Sequence, residues 1–251
     1  MRLLSVVILS LVLASPGIGL AQDVWQFRLT PYAWLAGLKG NVSTVRGQPS
    51  APVDVSASDA LRDLEGGGMI MLDARKGRHG FLVDFMHTDV RSDFQLVPPP
   101  INLNMRSISK TTIVTLAYQY ELFRQDASVV DVLAGLRYWD IDSELQFSGG
   151  LGVLAGRKIS TSESWVDPGL GIKGRTPLGS SRFYVEGGLG IGGFGVGSDL
   201  FYEYNANIGY QWTKSIGTTL GYRMFDVDYE KSGFVYDVRQ EGWQLGLTWA
   251  F

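Results

Sequence analysis

Residues 243–251, WQLGLTWAF, decide how this chain is read. Side chains alternate along an extended strand, so Trp243, Leu245, Leu247, Trp249 and Phe251 share one face, and Gln244, Gly246, Thr248 and Ala250 the other. Large apolar groups on one side and small or polar groups on the other suit a wall between lipid and an enclosed interior.

The same rhythm recurs upstream. Between Leu200 and Trp212 it puts Leu200, Tyr202, Tyr204, Ala206, Ile208, Tyr210 and Trp212 outward and Glu203, Asn205, Asn207 and Gln211 inward, a polar row no soluble core would bury. Ile216–Met224 sends Ile216, Leu220, Tyr222 and Met224 out against Thr219, Gly221 and Arg223. Val130–Tyr138 sends Val130, Val132, Ala134, Leu136 and Tyr138 out against Asp131, Gly135 and Arg137. Tyr and Trp gather at the ends of these runs, where membrane interfaces lie.

Six further candidates are Trp25–Leu35, Gly67–Arg75, Gly80–Val90, Ile108–Glu121, Lys158–Gly174 and Arg182–Phe194. The first carries Pro31 and places Tyr32 and Trp34 on the polar face with Arg28. Lipid cannot satisfy the free edges of an open sheet, so the sheet must close. The fold class is therefore all-β: a closed antiparallel transmembrane β-barrel of about ten strands, with eight or twelve as the alternatives. Pro168 marks a bulge or a change of register.

Connection lengths agree with this, since such barrels alternate short periplasmic turns with longer external loops. Short links fall at Lys76–His79, Phe123–Ala127, Arg175–Ser181 and Thr213–Ser215; long ones at 36–66, 92–107 and 143–157. The first long loop is read as an extended hairpin with a small helix around Asp59–Leu64.

At the amino terminus, Arg2 precedes the apolar run Leu3–Leu13, followed by Pro16, Gly17 and the small residues Gly19 and Ala21. This reads as a signal peptide over 1–21, cleaved to leave a barrel from Gln22 to Phe251. Removing it takes away Arg2 alone, leaving 21 basic against 25 acidic residues and implying no nucleic-acid partner. The chain has no cysteine, which excludes a disulfide framework, a thiolate nucleophile and a lipid-acylated cysteine. Its 32 glycines exceed the usual share of about 7%.

Several phrases resemble a poorly characterised family of small proteobacterial outer-membrane β-barrel proteins: LTPYAWLAGL at 29–38, GLRYWDID at 135–142, WVDPGLG at 165–171, GGFGVGSD at 192–199 and GYRMFDVDY at 221–229. The resemblance implies an outer-membrane barrel of a Gram-negative bacterium and brings no biochemical activity with it. The terminal strand also resembles the signal read by barrel-assembly machinery, here Leu245, Leu247, Trp249 and Phe251. The partners this implies are that machinery, outer-membrane lipid and lipopolysaccharide.

Inward-pointing charges are the main candidate for function. Strand parity aims Arg28, Asp73, Arg75, Asp84, Glu121, Asp131, Arg137, Asp167, Lys173, Glu186, Glu203 and Arg223 into the lumen. Paired, they would fill a narrow barrel, because an unpartnered enclosed charge is costly. Lining water, they would form a narrow channel for ions or small solutes. The first reading gives a structural or surface-binding scaffold, with the 36–66 loop and Pro98–Pro100 as places for an unidentified ligand.

Catalytic readings are weaker. Omptin proteases are ten-stranded barrels with acidic residues and a histidine at the external rim, which suggests His87, Asp89, Asp140 and Asp142, but parity turns Thr88 rather than His87 or Asp89 to the lumen. A lipid-A-modifying enzyme would need His87 with Ser92. The pairs Asp140 with Asp142 and Asp226 with Asp228 offer a divalent cation only two carboxylates each, short of the six to eight oxygens calcium prefers. Gly188, Gly190 and Gly193 match a dinucleotide fingerprint, yet the fingerprint needs a following helix, and steric room for neighbours such as Trp165 explains the glycines better. No catalytic residue, cofactor or metal is assigned.

Overall fold

The protein is described by a computed structural model over residues 24–43, 50–98, 102–149 and 156–251. The signal peptide, the start at Gln22, and Pro99 and Pro100 lie outside the described residues.

Among the described residues ten strands close a ring: β1 (Gln26–Ser43), β3 (Leu64–Lys76), β4 (His79–Val97), β5 (Leu103–Gln125), β6 (Ser128–Ser148), β7 (Lys158–Pro177), β8 (Phe183–Gly193), β9 (Leu200–Gln211), β10 (Ile216–Lys231) and β11 (Phe234–Ala250). Neighbours in sequence pair antiparallel, and β1 closes the ring on β11, with Phe27 and the terminal Phe251 exchanging backbone hydrogen bonds of 2.9 and 3.0 Å. An eleventh strand, β2 (Ala51–Val55), folds back on the upper part of β1. It leads into α1 (Ala57–Arg62), where the Ser56 hydroxyl caps the helix by accepting from the Asp59 N–H.

The outward faces of β5 to β11 carry exposed Leu116, Leu136, Leu170, Leu189, Ile208, Leu220 and Leu245. On β11 this apolar face runs from Trp243 to Phe251, which at roughly 3.3 Å per residue and a tilt of about 40° rises roughly 20 Å, close to the usual band of about 25 Å. Its lower edge is aromatic, with Trp25, Phe27 and Phe251 stacked in sequence. Trp243 meets Tyr222 edge-on at its upper edge.

The strands continue well above that band. β1 runs on to Ser43, β4 to Val97 and β6 to Ser148, and β5 begins at Leu103, so strand enters 36–66, 92–107 and 143–157. The helix spans Ala57–Arg62 rather than Asp59–Leu64. Pro168 sits in an unbroken β6–β7 register, one residue beyond the last β7 position paired with β8. Met224, expected on the lipid face, is almost fully covered.

Candidate functional site

The lumen is built in layers, and most strands supply residues to more than one. At the end with the short turns and the chain terminus, Arg75 donates to Glu121 at 3.0 Å and also pairs with Asp131. Arg124 reaches in from the β5 end to the same Glu121 at 2.9 Å. Next, Asp73 accepts from Arg28 at 3.2 Å, from Gln119 at 3.1 Å and from Lys173. Arg175 lies over the Tyr184 ring, 3.7 Å from its centroid. A cavity of about 200 Å³ remains above this layer, lined by Arg28, Asp73, Lys173, Glu186, Asn205 and Gln244 among others.

A neutral belt of two arginines and two carboxylates roofs that cavity. Arg137 donates to Glu203 at 2.6 Å and to the Thr115 hydroxyl at 2.9 Å. Arg223 donates to the other Glu203 oxygen at 3.1 Å and lies 3.0 Å from Asp84. Tyr32 joins them, donating to Asp84 at 2.7 Å and accepting from Arg223 at 3.1 Å. Each charge thus has an opposite partner inside a low-dielectric enclosure, the condition under which buried ions are tolerated.

Above the belt the interior turns apolar, which corrects the expectation of a polar lumen throughout. Trp34, Trp139, Trp165, Phe201, Phe225, Val227, Tyr229, Phe234, Tyr236 and Val238 form one packed cluster, several of them at 0–1% exposure. Trp34 packs on Phe225, Trp139 stacks on Trp165 at 5.5 Å, and Trp165 on Tyr229 at 3.9 Å. The belt touches this cluster from below through Arg137 against Phe201 and Arg223 against Trp34.

Of the twelve charges expected inside, two stand outside the ion-pair network. Among the described residues, Glu186 forms no ion pair within 4.0 Å, although it lines the cavity. Asp167, fully buried, accepts from the Trp165 indole at 3.1 Å and from the Ser198 N–H and hydroxyl at 2.7 Å each, tying down the β8–β9 connection. The inward glycines of β8 make room for β9 rather than for Trp165: a Cβ on Gly192 would lie 2.3 Å from Phe201, and one on Gly190 3.1 Å from Glu203. Their tract is strand and turn with no helix after it, so the dinucleotide geometry is absent from it.

Neither of the chain's two histidines enters the lumen. His87 faces outward on β4 and bonds the Thr112 hydroxyl at 2.9 Å, and His79, at the start of β4, bonds Tyr118. Asp89 pairs with Lys110, and Ser92 donates to Asp63. Asp140 and Asp142 point outward above Tyr138, while Asp226 is held by Arg239 at 2.8 Å. No cluster of three or more potential metal ligands occurs among the described residues. The residues Leu245, Leu247, Trp249 and Phe251 all face outward on the closing strand.

No family model matches the sequence, and no curated protein matches it. Solved structures do. The outer membrane protease OmpT of Escherichia coli is similar over 94% of this chain and 99% of its own, at a TM-score of 0.61 and 11% identity. Ail, the attachment invasion locus protein of Yersinia pestis, solved with the heparin analogue sucrose octasulfate, covers 91% and 99% at 0.39 and 12%. Neisserial surface protein A covers 90% and 97% at 0.32 and 16%. The ring of strands and the likeness to OmpT define the class: an outer-membrane β-barrel fold.

Proposed function

We propose that this chain is a non-catalytic outer-membrane scaffold of a Gram-negative bacterium, sealed to solutes, whose extracellular rim carries whatever binding it performs. One observation carries this reading: the aromatic cluster from Trp34 to Val238 fills the outer half of the lumen, directly above a belt of paired charges. A barrel of about eight strands is just filled by side chains, and ten leave little more room. Export through the leader, insertion by assembly machinery reading Leu245, Leu247, Trp249 and Phe251, and residence among lipopolysaccharide belong to the same proposal.

Planar-bilayer recording of the refolded mature chain tests it. Silence is the expected result. Unitary steps whose size or ion preference changes in Arg137→Gln would overturn it in favour of a narrow channel, the reading that the cavity beneath the belt supports.

A further inference from the structure

The wall is not paired all the way round. The ladder between β1 and β3 stops at Pro31 opposite Ile70. Above it, β1 regains a partner on that side only at Leu38, opposite Val55 of β2, while Leu64 to Met69 of β3 pair with β4 alone. Residues 32–36 and 64–69 therefore flank a slot with Pro31 and Ile70 as its sill and, above, the β2–α1 segment, which lies against Gly37. Its local cause is the run Gly66–Gly67–Gly68, which offers no side chains to pack across, beside a bulge between Leu64 and Gly66.

The slot straddles the upper edge of the apolar band. Leu35 on one flank pairs with Trp243, the top of the lipid-facing row of β11. Ile70 is the last outward apolar side chain of β3, and the adjoining positions of β4 above it are His87, Asp89 and Arg91. Because Phe27 exchanges both its bonds with Phe251, alternation turns the N–H and C=O of Trp34 and Ala36 away from β11 and into the slot. A Cβ placed on Gly66 or Gly68 would meet nothing within 4 Å, so the outer face of that flank is an open shelf. At the upper corner Arg91 pairs with Glu65 at 2.8 Å and keeps a buried Nε without a partner.

Unsatisfied backbone groups at this depth are expensive in hydrocarbon, so what covers the slot must bring hydrogen bonds to the boundary between chains and head groups. It must supply donors as well as acceptors, since each free residue presents one N–H and one C=O. The ester region of a diacyl phospholipid offers acceptors alone. The amide-linked, hydroxylated chains and phosphorylated sugars of lipid A offer both, with an anion for Arg91. We propose that this slot is a docking site for the interfacial region of a lipopolysaccharide molecule of the outer leaflet, its chains lying over Leu35 and Ile70.

Amide hydrogen exchange at Trp34 and Ala36, measured on the refolded mature chain in phosphatidylcholine nanodiscs with and without lipopolysaccharide, tests the proposal. Lipopolysaccharide is expected to slow both amides by about tenfold or more. No slowing overturns the proposal, and equal slowing by phosphatidylglycerol overturns it in favour of a site that reads charge alone. Gly68→Trp fills the outward shelf without entering the lumen; with its folding checked by heat-modifiable electrophoresis, it is expected to lose the protection, and undiminished protection in it also overturns the proposal. None of these outcomes depends on whether the barrel conducts.

Discussion

The indole of Trp165 lies flat on the ring of Tyr229, 3.9 Å between centroids and 12° from parallel, joining two strands that are not paired in the sheet. β8 ends at Gly193 and β9 begins at Leu200, so above that height β7 and β10 face each other across a notch in the wall. The stack spans it, assisted by a 3.0 Å hydrogen bond from the Tyr229 hydroxyl to Glu163. Trp165→Ala is expected to lower stability by about 3–5 kcal/mol, the usual cost of deleting a buried large aromatic side chain. Trp165→Phe should lose less than half as much, and urea unfolding midpoints in lipid vesicles compare the two.

Arg137 and Glu203 make the shortest link in the middle belt. Arg137→Met leaves Glu203 enclosed with Arg223 as its remaining cation, and breaking a buried pair from one side costs about 3–5 kcal/mol. Arg137→Met with Glu203→Met removes both charges while Arg223 keeps Asp84. The double variant is expected to be more stable than Arg137→Met alone, a coupling that a double-mutant cycle of unfolding midpoints reads directly.

Strand parity made the closed barrel legible, because lipid outside and polar groups inside impose opposite demands on alternate residues. β9 and β11 obey this along the apolar band, and the inward placement of Arg137, Glu203 and Arg223 follows from it. The same parity hid the aromatic core. In Phe225, Asp226, Val227, Asp228 and Tyr229 the period of two persists while its sense reverses, since above the lipid the outside solvent is water and the apolar groups turn inward. That reversal, visible in the sequence from Phe225 onward, is the signal that would have found the core. Partnership was not legible at all: parity names a face, whereas reaching Asp73 from Lys173 or Ser198 from Asp167 depends on which strands oppose each other across the lumen.

Asp167 supports the β8–β9 connection rather than the belt. Its carboxylate holds both the backbone and the hydroxyl of Ser198, and the connection exposes Phe194 and Val196 at its tip. Asp167→Ala is expected to free residues 194–199 while the ladders on either side stay intact, so external protease should nick the variant there and spare the wild type. A fragment of the size set by cleavage near Val196, obtained from proteoliposomes without loss of heat-modifiability, is the readout.

Phe251 contributes to closure in two separable ways. Its backbone bonds to Phe27 survive truncation of the ring, whereas the 5.6 Å stack between the two rings does not. An exposed aromatic contact of this kind is worth about 0.5–1.5 kcal/mol, so Phe251→Ala should refold in vitro to a barrel with nearly unchanged resistance to heat. If assembly machinery reads the aromatic terminus, the same variant should accumulate unfolded in cells. Comparing the heat-modifiable fraction of Phe251→Ala in cell envelopes with that after refolding from urea separates the two contributions: a loss confined to cells marks recognition, and equal loss in both marks a purely structural role.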